Sequence, residues 1–433
     1  MRAHIKPHRF TGTVRVPASK SHTIRRLLLA ALTEGSSEIA YPLDSLDARS
    51  CVSVCRALGV EIAEHQDGGG RLVRWTVRGV GPRRPDAPAA ALDVGNSGTT
   101  LFLALAAAAL GSSPVSFTGD AQIARRSAGP LLAALSGLGV RVASGPDGCI
   151  PITVRGPWKG GRVSLPCPTS QYLSALLIAA PLAPAGVLTE IEVPLLNERP
   201  YIELTLSYLK AQNIPWEGAA DFSFFRIPGG AAYRPLSGPV PADFSSAAYP
   251  GCAAVISGGP ATLLGLDPED PQGDKAVFEI LRQMGAEVSW SGEGGDRALT
   301  LSRSGSLRGG VFDLNDTPDL LPVLAATAAY ARGDTALVNV AHARIKETDR
   351  IAVMARELGK LGVACEERPD GLVIHGTGTP PAGGLVDGCG DHRVVMALAA
   401  AALGAAGPVE IDAAESAAVT YPGFLELLTV KEG

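Results

Sequence analysis

At 433 residues, with 46% hydrophobic and 19% charged side chains, the chain has the composition of a globular protein too long for one core, so two domains are expected. A net charge of −5 leaves no electrostatic footprint for nucleic acid, and the longest apolar runs, residues 101–110 and 394–403, fall short of the roughly 20 residues of a membrane helix. Seven cysteines without CxxC pairing speak against a disulfide framework or a zinc site, and the opening MRAHIKPHRF has no signal-peptide pattern, so a cytoplasmic protein is expected.

In chain order, one pattern recurs. A helix of small residues ends in Gly and enters a strand at Gly35, Gly111, Gly186, Gly259, Gly333 and Gly407, at intervals of 76, 75, 73, 74 and 74 residues. A second marker, a Leu/Met-Gly helix end before another strand, stays in phase at RALGVEI, SGLGVRV, RQMGAEV and KLGVACE. Six copies of a βαβαββ unit follow, an α/β architecture whose right-handed crossovers make its strands partly parallel. The first helix of every unit starts at a polar cluster: SKS at 19–21, GNSGT at 95–99, TSQ at 169–171, DFSS at 243–246, DTPD at 316–319 and GDHR at 390–393. N-capping accounts for the Ser and Asp of these clusters but not for their Lys, Gln, His and Arg. The Pro/Gly-rich passage 229–243 is the best boundary, dividing residues 19–237, with three units, from residues 1–18 plus 238–433, with the other three. The strand at 11–16 is expected to pair with the later half.

The stretch RIKETDR, residues 344–350, concentrates charge before the apolar series Ile351, Met354, Leu358 and Leu361. Read as a helix opening, it puts Lys346 and Arg350 on one face beside free N–H groups, which suits an anion. A solvated helix start with local ion pairs is the competing reading. Asp319, ahead of LLPVLAATAAYA, reads equally as an N-terminal cap or as a functional carboxylate.

Seven segments, PASKSHTIR (17–25), GNSGTT (95–100), ARRS (124–127), TSQYLSALL (169–177), DTPD (316–319), IKETDR (345–350) and GDHR (390–393), together resemble the enolpyruvyl transferases. The resemblance runs from about residue 10 to 428. It implies two domains of three βαβαββ units each, an inside-out α/β barrel with the active site in the interdomain cleft. It also implies transfer of the enolpyruvyl group of phosphoenolpyruvate to the 5-hydroxyl of shikimate 3-phosphate, a step of aromatic amino-acid biosynthesis, by a cytoplasmic monomer with no metal or cofactor. Carried over by position, Lys20, Ser21, Arg25, Thr169, Ser170, Gln171, Tyr201, Asp319, His342 and Lys346 would hold shikimate 3-phosphate. Lys20, Asn96, Gly98, Arg126, Gln171, Arg350 and Arg393 would hold phosphoenolpyruvate, and Lys20, Asp319 and Glu347 would be catalytic. The substrates bring about six negative charges, which Lys20, Arg25, Arg126, Lys346, Arg350 and Arg393 answer. His392 reads as a helix-start donor rather than a catalyst.

Four positions depart from the family pattern: Ile24 and His342 stand where Asn is common, Phe102 where Arg is common and Val419 where Lys is common. The last two remove cations from the phosphoenolpyruvate side. A specialised transferase with a related phosphorylated acceptor and a non-catalytic anion-binding relative therefore stay open. The sister transferase acting on UDP-N-acetylglucosamine is disfavoured, because GDAQIARRS lacks its reactive Cys, and RNA-cyclase relatives would need a basic surface.

Overall fold

A computed structural model describes residues 1–82, 88–294 and 297–429, and the chain divides into two compact units, Lys20–Val240 and Met1–Ser19 with Pro241–Gly433. Six sheets are formed among the described residues, three in each unit, one for each repeat. In the unit Lys20–Val240, the second and third repeats build four-stranded sheets in which Leu92–Asp93 runs parallel to Val115–Thr118 and Gly161–Ser164 parallel to Leu188–Glu192. The remaining pairings of these sheets are antiparallel, as a βαβαββ unit requires.

The first repeat has only three strands, all antiparallel. Its parallel partner comes from far along the chain. Glu38 N donates to the Leu236 carbonyl, Ala40 N to that of Gly238 and Val240 N to that of Ala40. The other unit borrows from the chain start in the same way. Gly12–Arg15 runs parallel to Pro260–Leu264, with Gly12 opposite Ala261, and Ala3–Ile5 runs antiparallel to Val409–Asp412.

Two kinds of helix alternate. Lys20–Ala31 of the first repeat carries His22, Arg25 and Arg26 in its first turns, whereas the first helix of the later repeats is largely apolar, and Gly98–Ala108, Leu321–Ala328 and His392–Ala402 are buried at every residue. Such helices must be surrounded by protein. The second helix is amphipathic: Ala276–Gln283 buries Val277, Phe278, Ile280 and Leu281 and turns its charged side chains outward. An inner helix with no polar face can carry functional groups only at its ends. This is why the polar clusters stand at the helix starts, where Ser97, Asp243 and Asp391 also accept from free N–H groups of the first turn.

Candidate functional site

In the unit Lys20–Val240, Lys20 opens helix Lys20–Ala31, and its ammonium lies 2.9 Å from Asp47 at the start of the next helix. Ser21 follows it, and Arg25, one turn further, is only 2% exposed. The Arg25 guanidinium donates to Thr205 Oγ1 at 3.0 Å, to Ser174 Oγ at 3.2 Å and to the carbonyls of Ser21 and Tyr201 at 3.3 and 3.4 Å. All of these partners are neutral. Burial accordingly pushes the guanidinium down to about 10, against the smaller opposing effects of Tyr208, Tyr201 and Glu198. A buried cation whose hydrogen bonds all go to neutral groups is ready for an anion.

Thr169 and Ser170 stand at the start of helix Gln171–Ala179, and both are buried. Their hydroxyls donate to Glu198 Oε2 at 3.0 and 2.8 Å, and Ser170 N donates to the same oxygen at 2.9 Å. Gln171 Oε1 is buried with no hydrogen-bond partner, as is Asn96 Oδ1, whose amide nitrogen donates to Gln122. Gly98 begins helix Gly98–Ala108 directly under Arg126: a Cβ on Gly98 would lie 2.8 Å from the guanidinium carbon. Phe102, on the same helix, packs edge-on against Tyr172 with ring centroids 5.0 Å apart, and the Tyr172 hydroxyl donates to the carbonyl of Ser127, next to Arg126.

The other unit is organised by Arg350, which is fully buried. Its Nε and Nη2 donate to the two carboxylate oxygens of Asp391 at 2.8 and 3.1 Å, its Nη1 to Asp319 at 2.6 Å and its Nη2 to Glu347 at 2.6 Å. Arg393 reaches the second oxygen of Asp319 at 2.9 Å. Burial would push the Asp319 carboxyl up, but Arg393, Lys346 and Arg350 together outweigh it and hold the group well below the usual carboxylate range. Asp391 is likewise held below that range by Arg350 against the effect of burial. Asp274 goes the other way. Burial, with the negative charge of Asp319 beside it, pushes its carboxyl up to about 7; one of its oxygens accepts from Ser245, and the other is buried without a partner. His342 sits with Nε2 3.0 Å from the Asn315 carbonyl, and His392 is buried at the first position of helix His392–Ala402.

Two expectations need correction. The charged turn does not open the helix with Lys346 and Arg350 on one face, because helix Arg350–Lys360 begins at Arg350. Asp349 accepts from Ala352 N at 3.0 Å as its N-cap, so residues 346–348 form a bend ahead of it and Lys346 leaves the helix altogether. Nor does Asp319 act as a cap: it lies in the 3-10 turn Pro318–Leu320 before helix Leu321–Ala328, and its oxygens go to arginines instead. Sequence reasoning gave no functional role to Asp47, Glu198, Asp274, Tyr172 or Asp391. Asp391 was visible inside GDHR. Glu198 carried no signal beyond its place three residues before Tyr201.

A family model described as EPSP synthase (3-phosphoshikimate 1-carboxyvinyltransferase) matches residues 5–428. A 3-phosphoshikimate 1-carboxyvinyltransferase of Acetivibrio thermocellus is 46% identical over 426 residues, 98% of this chain and 97% of that protein. One of Halobacterium salinarum is 42% identical over 437 residues, covering 99% and 98%. Among solved structures, an EPSP synthase of Acinetobacter baumannii aligns with a TM-score of 0.80 at 30% identity, covering 98% of this chain and 97% of that one. Sequence and fold agree over nearly the full length, and the chain belongs to the EPSP synthase family.

Proposed function

We propose that the protein transfers the enolpyruvyl group of phosphoenolpyruvate to the 5-hydroxyl of shikimate 3-phosphate, as a cytoplasmic monomer, with Lys20, Asp319 and Glu347 as its catalytic groups. The observation that carries this is the pair of carboxylates, Asp319 and Glu347, held on the single guanidinium of Arg350 at 2.6 Å each. The reaction needs a proton acceptor and a proton donor close together. Asp319, kept ionised by Arg393, Lys346 and Arg350, accepts the proton of the attacking hydroxyl, and Glu347 delivers one to the methylene carbon.

The steps balance. The hydroxyl oxygen bonds to C2 of phosphoenolpyruvate as its proton passes to Asp319 and C3 gains one from Glu347, giving a tetrahedral ketal; C3 then returns a proton to Glu347 as the C2–O bond to phosphate breaks, and the proton on Asp319 leaves with the phosphate. No electrons leave or enter the system, so the chemistry calls for no redox cofactor. Arg25, with Ser21, Thr169, Ser170, Gln171, Tyr201, His342 and Lys346, serves shikimate 3-phosphate. Arg126, over Gly98 and near Asn96, serves phosphoenolpyruvate with Arg350 and Arg393, and Lys20 serves both. Arg350 has five N–H donors, four of them used in the bonds given above. The fifth, on Nη1, is left for the substrate.

The test is a phosphate-release assay with both substrates. Release that requires phosphoenolpyruvate and shikimate 3-phosphate together supports the reading; release from phosphoenolpyruvate alone, or none, rejects it.

A further inference from the structure

The place proposed above for Thr169 and Ser170 in holding shikimate 3-phosphate already holds an anion, and that anion belongs to the protein. Glu198 is 1% exposed, and one of its oxygens takes both hydroxyls and the Ser170 backbone N–H at the start of helix Gln171–Ala179. Three donors converging on one oxygen are what a phosphate oxygen would meet there. Glu198 stands at the N-cap position of its own helix, Arg199–Ala211, yet its side chain makes no capping bond to that helix. It reaches across to cap a neighbouring one instead. The reach is set by the backbone: Asn197 N donates to the Cys167 carbonyl at 3.2 Å and Cys167 N to that of Leu195 at 2.8 Å, which lays the two loops side by side. Glu198 itself adopts a left-handed conformation, φ 60° and ψ 43°, which a non-glycine residue takes at some cost.

The adjoining cation completes the picture. Arg25 is buried with neutral hydrogen-bond partners only, and Glu198 is among the groups whose charge acts on it. Without substrate, the Glu198 carboxylate supplies the negative charge that this corner lacks. When a phosphorylated acceptor arrives, two anions compete for the same three donors, and like charges at that distance repel.

Resting on the reading under Proposed function, we propose that Glu198 is an internal stand-in for the acceptor's phosphate, displaced when shikimate 3-phosphate binds, and that it sets the affinity for the phosphorylated over the unphosphorylated acceptor. The Glu198 side chain swings away from Thr169 and Ser170, and the phosphate takes over the donors it leaves.

The experiment compares wild type with Glu198→Gln and Glu198→Ser, measuring calorimetric dissociation constants for shikimate 3-phosphate and for shikimate, which lacks the phosphate. Glu198→Gln keeps an oxygen for the three donors while removing the charge, so it guards against a misfolded variant; thermal melts confirm folding. The expected result is that both variants bind shikimate 3-phosphate about ten- to a hundredfold more tightly, the scale of one charge-assisted hydrogen bond. The ratio of its affinity to that of shikimate should rise by the same factor. A merely structural role for Glu198 would loosen Thr169 and Ser170 and weaken binding. Weaker or unchanged binding of shikimate 3-phosphate by a folded Glu198→Gln, or an equal gain for shikimate, overturns the proposal while leaving the activity reading standing. A wild-type protein that neither binds nor turns over shikimate 3-phosphate overturns the activity reading itself, and this inference with it.

Discussion

Arg350 has three carboxylates on it, Asp391, Asp319 and Glu347, and the consequences of changing any of them differ. Replacing Asp319 by Ala would leave Arg350 and Arg393 each short of a partner in a buried place, so the informative variants are Asp319→Asn and Glu347→Gln. Each is expected to lower kcat by about 10²- to 10⁴-fold while the calorimetric affinity for shikimate 3-phosphate changes far less; near-normal kcat in either would remove that residue from the chemistry. Gly98→Ala is a sharper steric case. Its Cβ would meet the Arg126 guanidinium at 2.8 Å, so the arginine must shift, and the expected outcome is a raised KM for phosphoenolpyruvate with shikimate 3-phosphate affinity little changed. At this scale the sequence was partly legible. The charged residues of SKS, ARRS, KETDR and GDHR were visible as groups whose chemistry capping does not explain, but their mutual bonding was not, because Asp391 and Arg350 stand 41 residues apart and meet only once two helices pack.

At the scale of elements, the inner helices were the most legible part of the chain, since an unbroken run of Ala and Leu between a polar start and a Gly allows little else. The start of Arg350–Lys360 was misplaced because Asp349, a good N-cap, lies within the charged run and was read as part of the helix. Phe102 illustrates what sequence could not decide. It belongs to a helix buried at every residue, and its ring meets Tyr172 at an interplanar angle of 89°. Phe102→Arg is therefore expected to lower Tm by several degrees, because it puts a charge into a packed aromatic contact, and not to restore a lost cation. Val419 closes the 3-10 segment Ala414–Val419 and is half-exposed. Val419→Lys is expected to fold normally and to lower the KM for phosphoenolpyruvate about tenfold; an unchanged KM would mean that the missing lysine is no deficit in this protein.

For the whole molecule, six copies of one unit explain why 433 residues were readable as architecture from spacing alone, while the strands that leave their own repeat were less so. The segment 236–240 completes the sheet of the first repeat by hydrogen bonds that no local pattern announces. Stability should also carry the mark of the buried carboxylates. Asp319 is held below its usual range, so its contribution is fully present above about pH 4 and is lost as pH falls further. Asp274 is held up to about 7, so the folded protein keeps a proton that the unfolded chain releases near pH 4, and stability falls as pH rises from about 4 to about 7. Asp274→Asn should flatten that decline, with the Tm difference from wild type growing more positive between pH 5 and 8; a parallel pair of curves would show that Asp274 does not titrate there. Enolpyruvyl transfer by addition and elimination leaves an isotopic signature that proton NMR reads when the reaction is run in D₂O with phosphoenolpyruvate and shikimate 3-phosphate. The expected product is a vinyl ether on the 5-oxygen whose methylene carries deuterium, because C3 gains a solvent-derived proton and then loses one, together with release of phosphate that requires both substrates. Phosphate and pyruvate without a vinyl ether, or a vinyl ether free of deuterium after many turnovers, would contradict that route.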